Sequence, residues 1–341
     1  MEDRAGRAWR AGPADVFARV ALWGGREIAT LVRASLVAGL ATTPYAAFHF
    51  HRVTPYGVLA NLAAMPVVSA VVMPAGLLGL VAMPFGFDGV FWRTMGIGID
   101  WMIAVTQWVA GLPGAIGRMA AFGIGPVIAA SVGIVLLGLL RTPLRWSGAA
   151  VLVLAVVWAL AVPQPDILVS GDGHNVGVRG KDGRLHLMRT AKDAFLLKEW
   201  LAADADGRQS TDASLSEGVS CDEAGCVTQM ADGGFVALVL RPDALTDDCD
   251  RAALVVTARQ ASPSCSSPVI DQERLRSQGP MALRRTGTGF AVDAVRPRGV
   301  DRPWSPAVAG NTEAEAILAP RPVIPPPADA TPSEADRQME D

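Results

Sequence analysis

The chain has 341 residues, of which 50% are hydrophobic and 18% charged, with a formal net charge of −3 and a mean hydropathy of +0.30. The length allows two to three domains. Low charge with positive hydropathy excludes an ordinary soluble enzyme, a disordered acidic protein and a compact basic nucleic-acid binder. The averages hide a division. Residues 1–165 carry eleven Arg, no Lys and six acids, a net of +5, whereas residues 166–341 carry 19 bases and 27 acids, a net of −8.

The first 27 residues are Arg-rich (Arg4, Arg7, Arg10, Arg19, Arg26) and read as a cytoplasmic N-terminus. Several apolar stretches follow them, so a cleaved secretory signal does not fit. A spanning helix needs about 20 mostly apolar residues. The stretches 28–48, 56–83, 122–140 and 147–162 meet or approach that length, and a weaker one, 91–112, carries Arg93 and Asp100. The expectation is a polytopic α-helical membrane domain of about five spans. Bases mark the cytoplasmic side. The N-terminal arginines and Arg141 with Arg145 satisfy that rule together only if 91–112 crosses, which puts everything after residue 162 outside the cytoplasm.

The weak stretch is the most informative. At about 100° per residue, Arg93, Gly96, Asp100, Ala104, Gln107 and Gly111 fall in one stripe. A charge at mid-membrane costs about 2.5–3.5 kcal/mol on insertion scales, so such residues face protein or water. Two readings stand: a stripe lining a conduit, or small-residue packing with the charges reaching opposite interfaces. Arg33 in the first span invites the same pair. Pro66 and Pro74 in the second span give a kink or an unwound segment beside a cavity.

Residues 42–79 read TTPYAAFHFHRVTPYGVLANLAAMPVVSAVVMPAGLLG. With Thr43-Pro44, the aromatics before a polar loop, Leu59-Ala60-Asn61-Leu62, Met65-Pro66 and Pro74, and with Trp101, Trp108 and Leu112-Pro113 downstream, this string resembles the competence domain of the ComEC family. The resemblance covers residues 20–162. It implies an inner-membrane channel component that passes single-stranded DNA during natural transformation, working with an ATP-driven helicase motor and DNA-receptor proteins. A polyanion needs bases at the entrance and a wet path through the bilayer. His49, His51 and Arg52 in the first outer loop and Arg118 in the next are candidates for the entrance, with Arg33, Arg93, Asp100 and Gln107 for the path. Interfacial anchoring is the alternative for each. Family members carry further domains before this region, so the expectation is an N-terminally truncated member, with an upstream fragment or a homo-oligomer completing the channel.

After Pro163 and Pro165, short apolar runs alternate with Gly-rich turns: 166–170, 175–179, 184–189, 235–240, 252–257 and 290–295. Gly180 to Gly183 reads as a hairpin turn, and 191–204 as a helix. Residues 163–309 are therefore expected to form a soluble mixed α/β domain, and 310–341, rich in Pro and Ala, a disordered tail. Many family members end in a metallo-β-lactamase-like lobe, and 170–188 and 251–262 resemble parts of it. In that likeness Ala258 and Arg259 stand at a His-His position, and the His-x-His-x-Asp-His loop is absent. The lobe resembles a degenerate metallo-β-lactamase-like fold. No catalytic residue, metal or cofactor is expected; an isolated site at Asp172 and His174 competes with a plain Asx turn.

All four cysteines lie in this half. An even number in an exported domain points to disulfides. Three pairings are open; Cys221–Cys226 with Cys249–Cys265 closes the shortest loops, and a four-thiolate zinc site is the runner-up. A membrane-tethered periplasmic nuclease and a small-solute transporter or inert remnant are the competing functions, the former lacking its histidine cluster.

Overall fold

The computed structural model describes residues 13–189, 193–262, 264–287, 289–296, 303–304 and 317–319. The chain divides into two compact units, residues 1–162 and 163–341.

The first unit is helical. Helix α1 (Pro13–Phe50) continues through Pro44, where the hydroxyls of Thr42 and Thr43 donate to the carbonyls of Ala38 and Gly39 in the preceding turn. A two-residue strand β1 (Arg52–Val53) leads to α2 (Gly57–Val67). The expected kink at Pro66 and Pro74 takes a specific form. Residues Val68–Val72 form a π-helical turn between α2 and α3 (Met73–Ala82), so the helix widens rather than unwinds. Local adjustment of this kind re-pairs carbonyls that proline strands. One turn before the widened segment, the Trp101 indole N–H donates to the Ala63 carbonyl at 3.3 Å.

Helix α4 (Asp88–Ala110) packs on α2 and α3. Gly98 permits this, because a Cβ there would stand 2.6 Å from a Val72 methyl. Strand β2 (Gly117–Arg118) precedes α5 (Ile124–Leu139) and α6 (Trp146–Leu160). The last two cross at backbone contact: a Cβ on Gly148 would lie 2.7 Å from the Gly133 carbonyl oxygen. Small residues drive such packing where lipid gives no hydrophobic advantage.

Three stretches are long and apolar enough to cross a bilayer: Ile28–Phe50, Gly57–Phe85 and Pro143–Leu160. The apolar helix Ile124–Leu139 is shorter. Helix α4 has the length, but Asp88, Arg93 and Asp100 lie within it.

The second unit is α/β. A six-stranded antiparallel sheet runs in the order β13-β12-β11-β3-β4-β5. Its strands are β3 (Ile167–Val169), β4 (Asn175–Arg179), β5 (Leu185–Arg189), β11 (Met281–Thr286), β12 (Gly289–Ala294) and β13 (Ile317–Leu318). A five-stranded mixed sheet has the order β10-β9-β8-β7-β6. It contains β6 (Val219–Cys221), β7 (Gly225–Gln229), β8 (Phe235–Val239), β9 (Leu254–Thr257) and β10 (Val269–Ile270), with β8, β9 and β10 parallel.

Alternation explains the layers. Val176 and Val178 of β4, Leu283 of β11 and Phe290 of β12 meet Val236 and Leu238 of β8 and Leu254 and Val256 of β9 in one buried core between the sheets. Residues of opposite parity face helices. Leu187 meets Leu197 and Leu201 of α7 (Ala194–Ala203), and Ala237, Val239 and Val255 cluster with Cys249 of α8 (Leu245–Arg251). The order is helix, sheet, sheet, helix. A third helix, α9 (Gln272–Gln278), sends Leu275 into the main core.

One expectation is corrected. The tail from residue 310 contributes β13, which pairs with β12 and buries Leu318 in the main core. Two apolar residues in a Pro- and Ala-rich stretch suffice because β12 offers an open edge. Apart from Ala319, the rest of 310–341 lies outside the described residues.

Candidate nucleic-acid interface

The loops after α1 and α4 are far apart in sequence and meet in the structure. At the end of α1 the chain reverses at His51, whose φ of 54° lies in the left-handed region uncommon for a bulky residue. The reversal sends Arg52 and Val53 into β1, which pairs antiparallel with β2 in the register Arg52↔Arg118 and Val53↔Gly117. The Met119 amide donates to the His51 carbonyl at 3.1 Å and extends the ladder. The Tyr56 hydroxyl ties the loops again by donating to the Pro113 carbonyl at 2.9 Å. Gly117 is required for the approach, since a Cβ would sit 3.2 Å from the Val53 carbonyl oxygen.

Two exposed arginines thus stand directly opposite each other. Among the described residues neither guanidinium has an acidic partner, and residues 51–56 and 111–123 contain no acid. Like charges at facing strand positions repel. Aromatic rings flank the pair: Phe48 meets Phe122 edge-on at 5.8 Å and His49 at 5.0 Å, and Phe50 is 69% exposed. Paired bases with open π-faces are the elements of a site for single-stranded nucleic acid.

Of the residues singled out in the sequence, the structure brings His49, His51, Arg52 and Arg118 together. It leaves Arg33 exposed on α1. Arg93, Asp100 and Gln107 are exposed along α4. That helix packs through Trp92, Met95, Gly98, Met102 and Val105, and the polar stripe lies on the opposite side. Sequence reasoning missed the roles of Tyr56, Gly117 and Phe122. The available signal was two acid-free loops, each with one Arg beside a residue suited to a strand.

In the second unit Cys221 is bonded to Cys226, its register partner in the β6–β7 hairpin, and Cys249 to Cys265. His174 and Asp172 share the β3–β4 turn: the Asp172 carboxylate accepts from the Ser170 hydroxyl and the His174 amide, and the His174 ring stands 3.6 Å away. Burial would raise this carboxyl, but those hydrogen bonds prevail and hold it below the ordinary range. His186 contacts Asp182 of the next turn at 3.0 Å. Among the described residues no three His, Cys, Asp or Glu converge as metal ligands would. Ala258 and Arg259 follow β9, and the Arg259 guanidinium donates to the Leu240 carbonyl at 3.0 Å.

Helices long and apolar enough to cross a bilayer, joined to a disulfide-linked α/β unit, define a membrane protein. Residues 11–144 match the family model Competence, described as competence protein. The chain carries a domain of that family, consistent with a ComEC-family competence protein, and this supports a role in competence and DNA uptake. No curated protein and no solved structure matches.

Proposed function

We propose that this protein is an inner-membrane channel component that passes single-stranded DNA into the cell, and that the Arg52–Arg118 ribbon receives the strand. α1, the Gly57–Phe85 helix, α4, α5 and α6 span the membrane, with the N-terminus in the cytoplasm and the ribbon and second unit outside. The observation that carries the reading is the direct pairing of two unpartnered arginines beside exposed aromatic rings. A strand arriving from outside meets bases that lack any acid to quench them, and its bases can stack on Phe50 and His49. A motor on the cytoplasmic side and DNA-delivery proteins outside are the expected partners. The second unit is a non-catalytic lobe related to metallo-β-lactamase-like folds; its helix-sheet-sheet-helix layering and the Ala258-Arg259 pair support that reading.

The test is binding of a fluorescent single strand to the full chain in nanodiscs across a salt series. Each lost phosphate contact lowers the slope of log K against log salt by about 0.7. Arg52→Gln and Arg118→Gln should each do so, and the double variant should lower it by about 1.4. An unchanged slope in the double variant overturns the assignment. Complementation of an uptake-deficient strain with the same variants then reads transport.

A further inference from the structure

Among the described residues the polar stripe of α4 has no counterpart. Among the described residues Asp100 has no ion pair or hydrogen-bond partner for its carboxylate, and it lies opposite the face that packs on α2 and α3. Its depth matters. Asp100 stands twelve residues after Asp88, about 18 Å along the axis, and a hydrocarbon core is about 30 Å thick. An aspartate is too short to reach either interface from there. Arg93, five residues from the helix start, lies only about 7.5 Å in and can snorkel.

A bare carboxylate at the midplane is unfavourable towards lipid. That cost is removed by a base at the same level. The described helices do not supply one: between residues 28 and 160 the arginines within spans are Arg33, Arg93 and Arg145, each near a cytoplasmic end, and there is no Lys. A second copy in the same orientation would therefore set Asp100 beside Asp100 and Arg93 beside Arg93. The stripe is not self-complementary.

We infer that the stripe is met in the membrane by a further helix, beyond those described, that carries a basic side chain level with Asp100, the small residues Gly96, Ala104 and Gly111 allowing it close. This rests on the reading of α4 as a span. The partner neutralises Asp100 and covers the side of α4 that the described helices leave open.

The four native cysteines are all in disulfides of the second unit, so Ala104→Cys gives the full chain one free thiol. Labelled there and reconstituted in phosphatidylcholine vesicles, it is mixed with membrane-spanning Leu/Ala peptides bearing a central Lys, Leu or Glu. The Lys peptide should bind about tenfold tighter than the Leu peptide, and Asp100→Asn should abolish most of that preference. An Ile97→Cys label on the flank should respond less. Equal binding of Lys and Leu peptides overturns the proposal, as does efficient oxidation of the unlabelled Ala104→Cys chain to a disulfide-linked pair of copies. A label reached by water-soluble relaxers but not by oxygen in the lipid would place α4 outside the bilayer and overturn the spanning reading too. An inserted α4 without a Lys preference overturns this inference alone.

Discussion

Removing the Asp204 carboxylate tests what fastens α7 to its sheet. The Arg179 guanidinium donates from Nε to the Pro165 carbonyl at 3.1 Å and from Nη1 to the Gly183 carbonyl at 2.7 Å. Nη1 and Nη2 also donate to the two oxygens of Asp204. One side chain therefore joins the entry to the second unit, the β4–β5 turn and the end of α7. The two side chains are only 16% and 9% exposed, so Asp204→Ala leaves a largely buried cation with two neutral acceptors. Breaking a buried pair from one side costs about 3–5 kcal/mol; residual hydration of Arg179 favours the low end, about 3 kcal/mol. For a unit of this size that lowers Tm by about 6–12 °C. Asp204→Asn keeps the shape and a neutral acceptor and should cost about half as much. Hydrogen exchange of the full chain in detergent reads the effect locally: amides of β4, β5 and α7 should exchange about 100-fold faster in Asp204→Ala. Unchanged exchange, with Tm within about 1 °C, would mean that the pair behaves as a solvated surface pair and that the clamp is misassigned.

Gly117→Val should part β1 from β2 and lower the salt slope of single-strand binding as far as the double arginine variant does; a wild-type slope would sink the ribbon. Stepwise reduction with mass-spectrometric thiol mapping should open Cys221–Cys226 first, because Cys221 is exposed whereas Cys249 and Cys265 are 5% and 3% exposed. Replacing Cys249 and Cys265 with Ala should cost about 3 kcal/mol for the loop that they close, readable as a lower Tm. Burial, then the charges of Asp247 and Asp222, raise the Asp248 carboxyl. Its folded form holds the proton more tightly, so stability is gained as pH falls through that raised value. Asp248→Asn should thus raise Tm at pH 7 and change little below the ordinary carboxylate range. Asp206 has the opposite sign: burial would raise it, but hydrogen bonds from Arg208 outweigh burial and lower it. Asp206→Asn should lower Tm at pH 7, and a pH-Tm series should show the deficit closing as pH falls through the lowered value.

Apolar length and Arg asymmetry made the helices of the first unit legible, because both are local properties of the chain. The polar stripe of α4 was legible for the same reason, through helical periodicity. Which side it faced was not, since that depends on Gly98 admitting Val72. In the second unit Gly180 to Gly183 marked its turn, and Gly183 takes φ 74°. Strand β11 was missed because MALRRT does not alternate cleanly: it lies beside β3, more than 100 residues earlier, and the Arg285 guanidinium sits over the Phe290 ring, 4.7 Å from its centroid. Strand β13 was missed because two residues carry no period at all. Non-local pairing has no local signature, and the candidate interface is a case of it.

The ribbon shows how much structure serves the opposition of two charges. Two like unit charges at facing strand positions near water repel by about 1 kcal/mol or less. The repulsion is small, yet it comes with a left-handed His51, a glycine at the only position facing Val53 and a tyrosine tether to Pro113. A connector with no binding role would be more stable with an acid or a threonine opposite Arg52, and nothing in the backbone prevents either. Phosphates reverse the sign: an anion between the two arginines gains from both and removes their mutual repulsion. The pairing is unfavourable in the empty ribbon and favourable when a polyanion bridges it, which supports the proposed reading of the ribbon as a binding element.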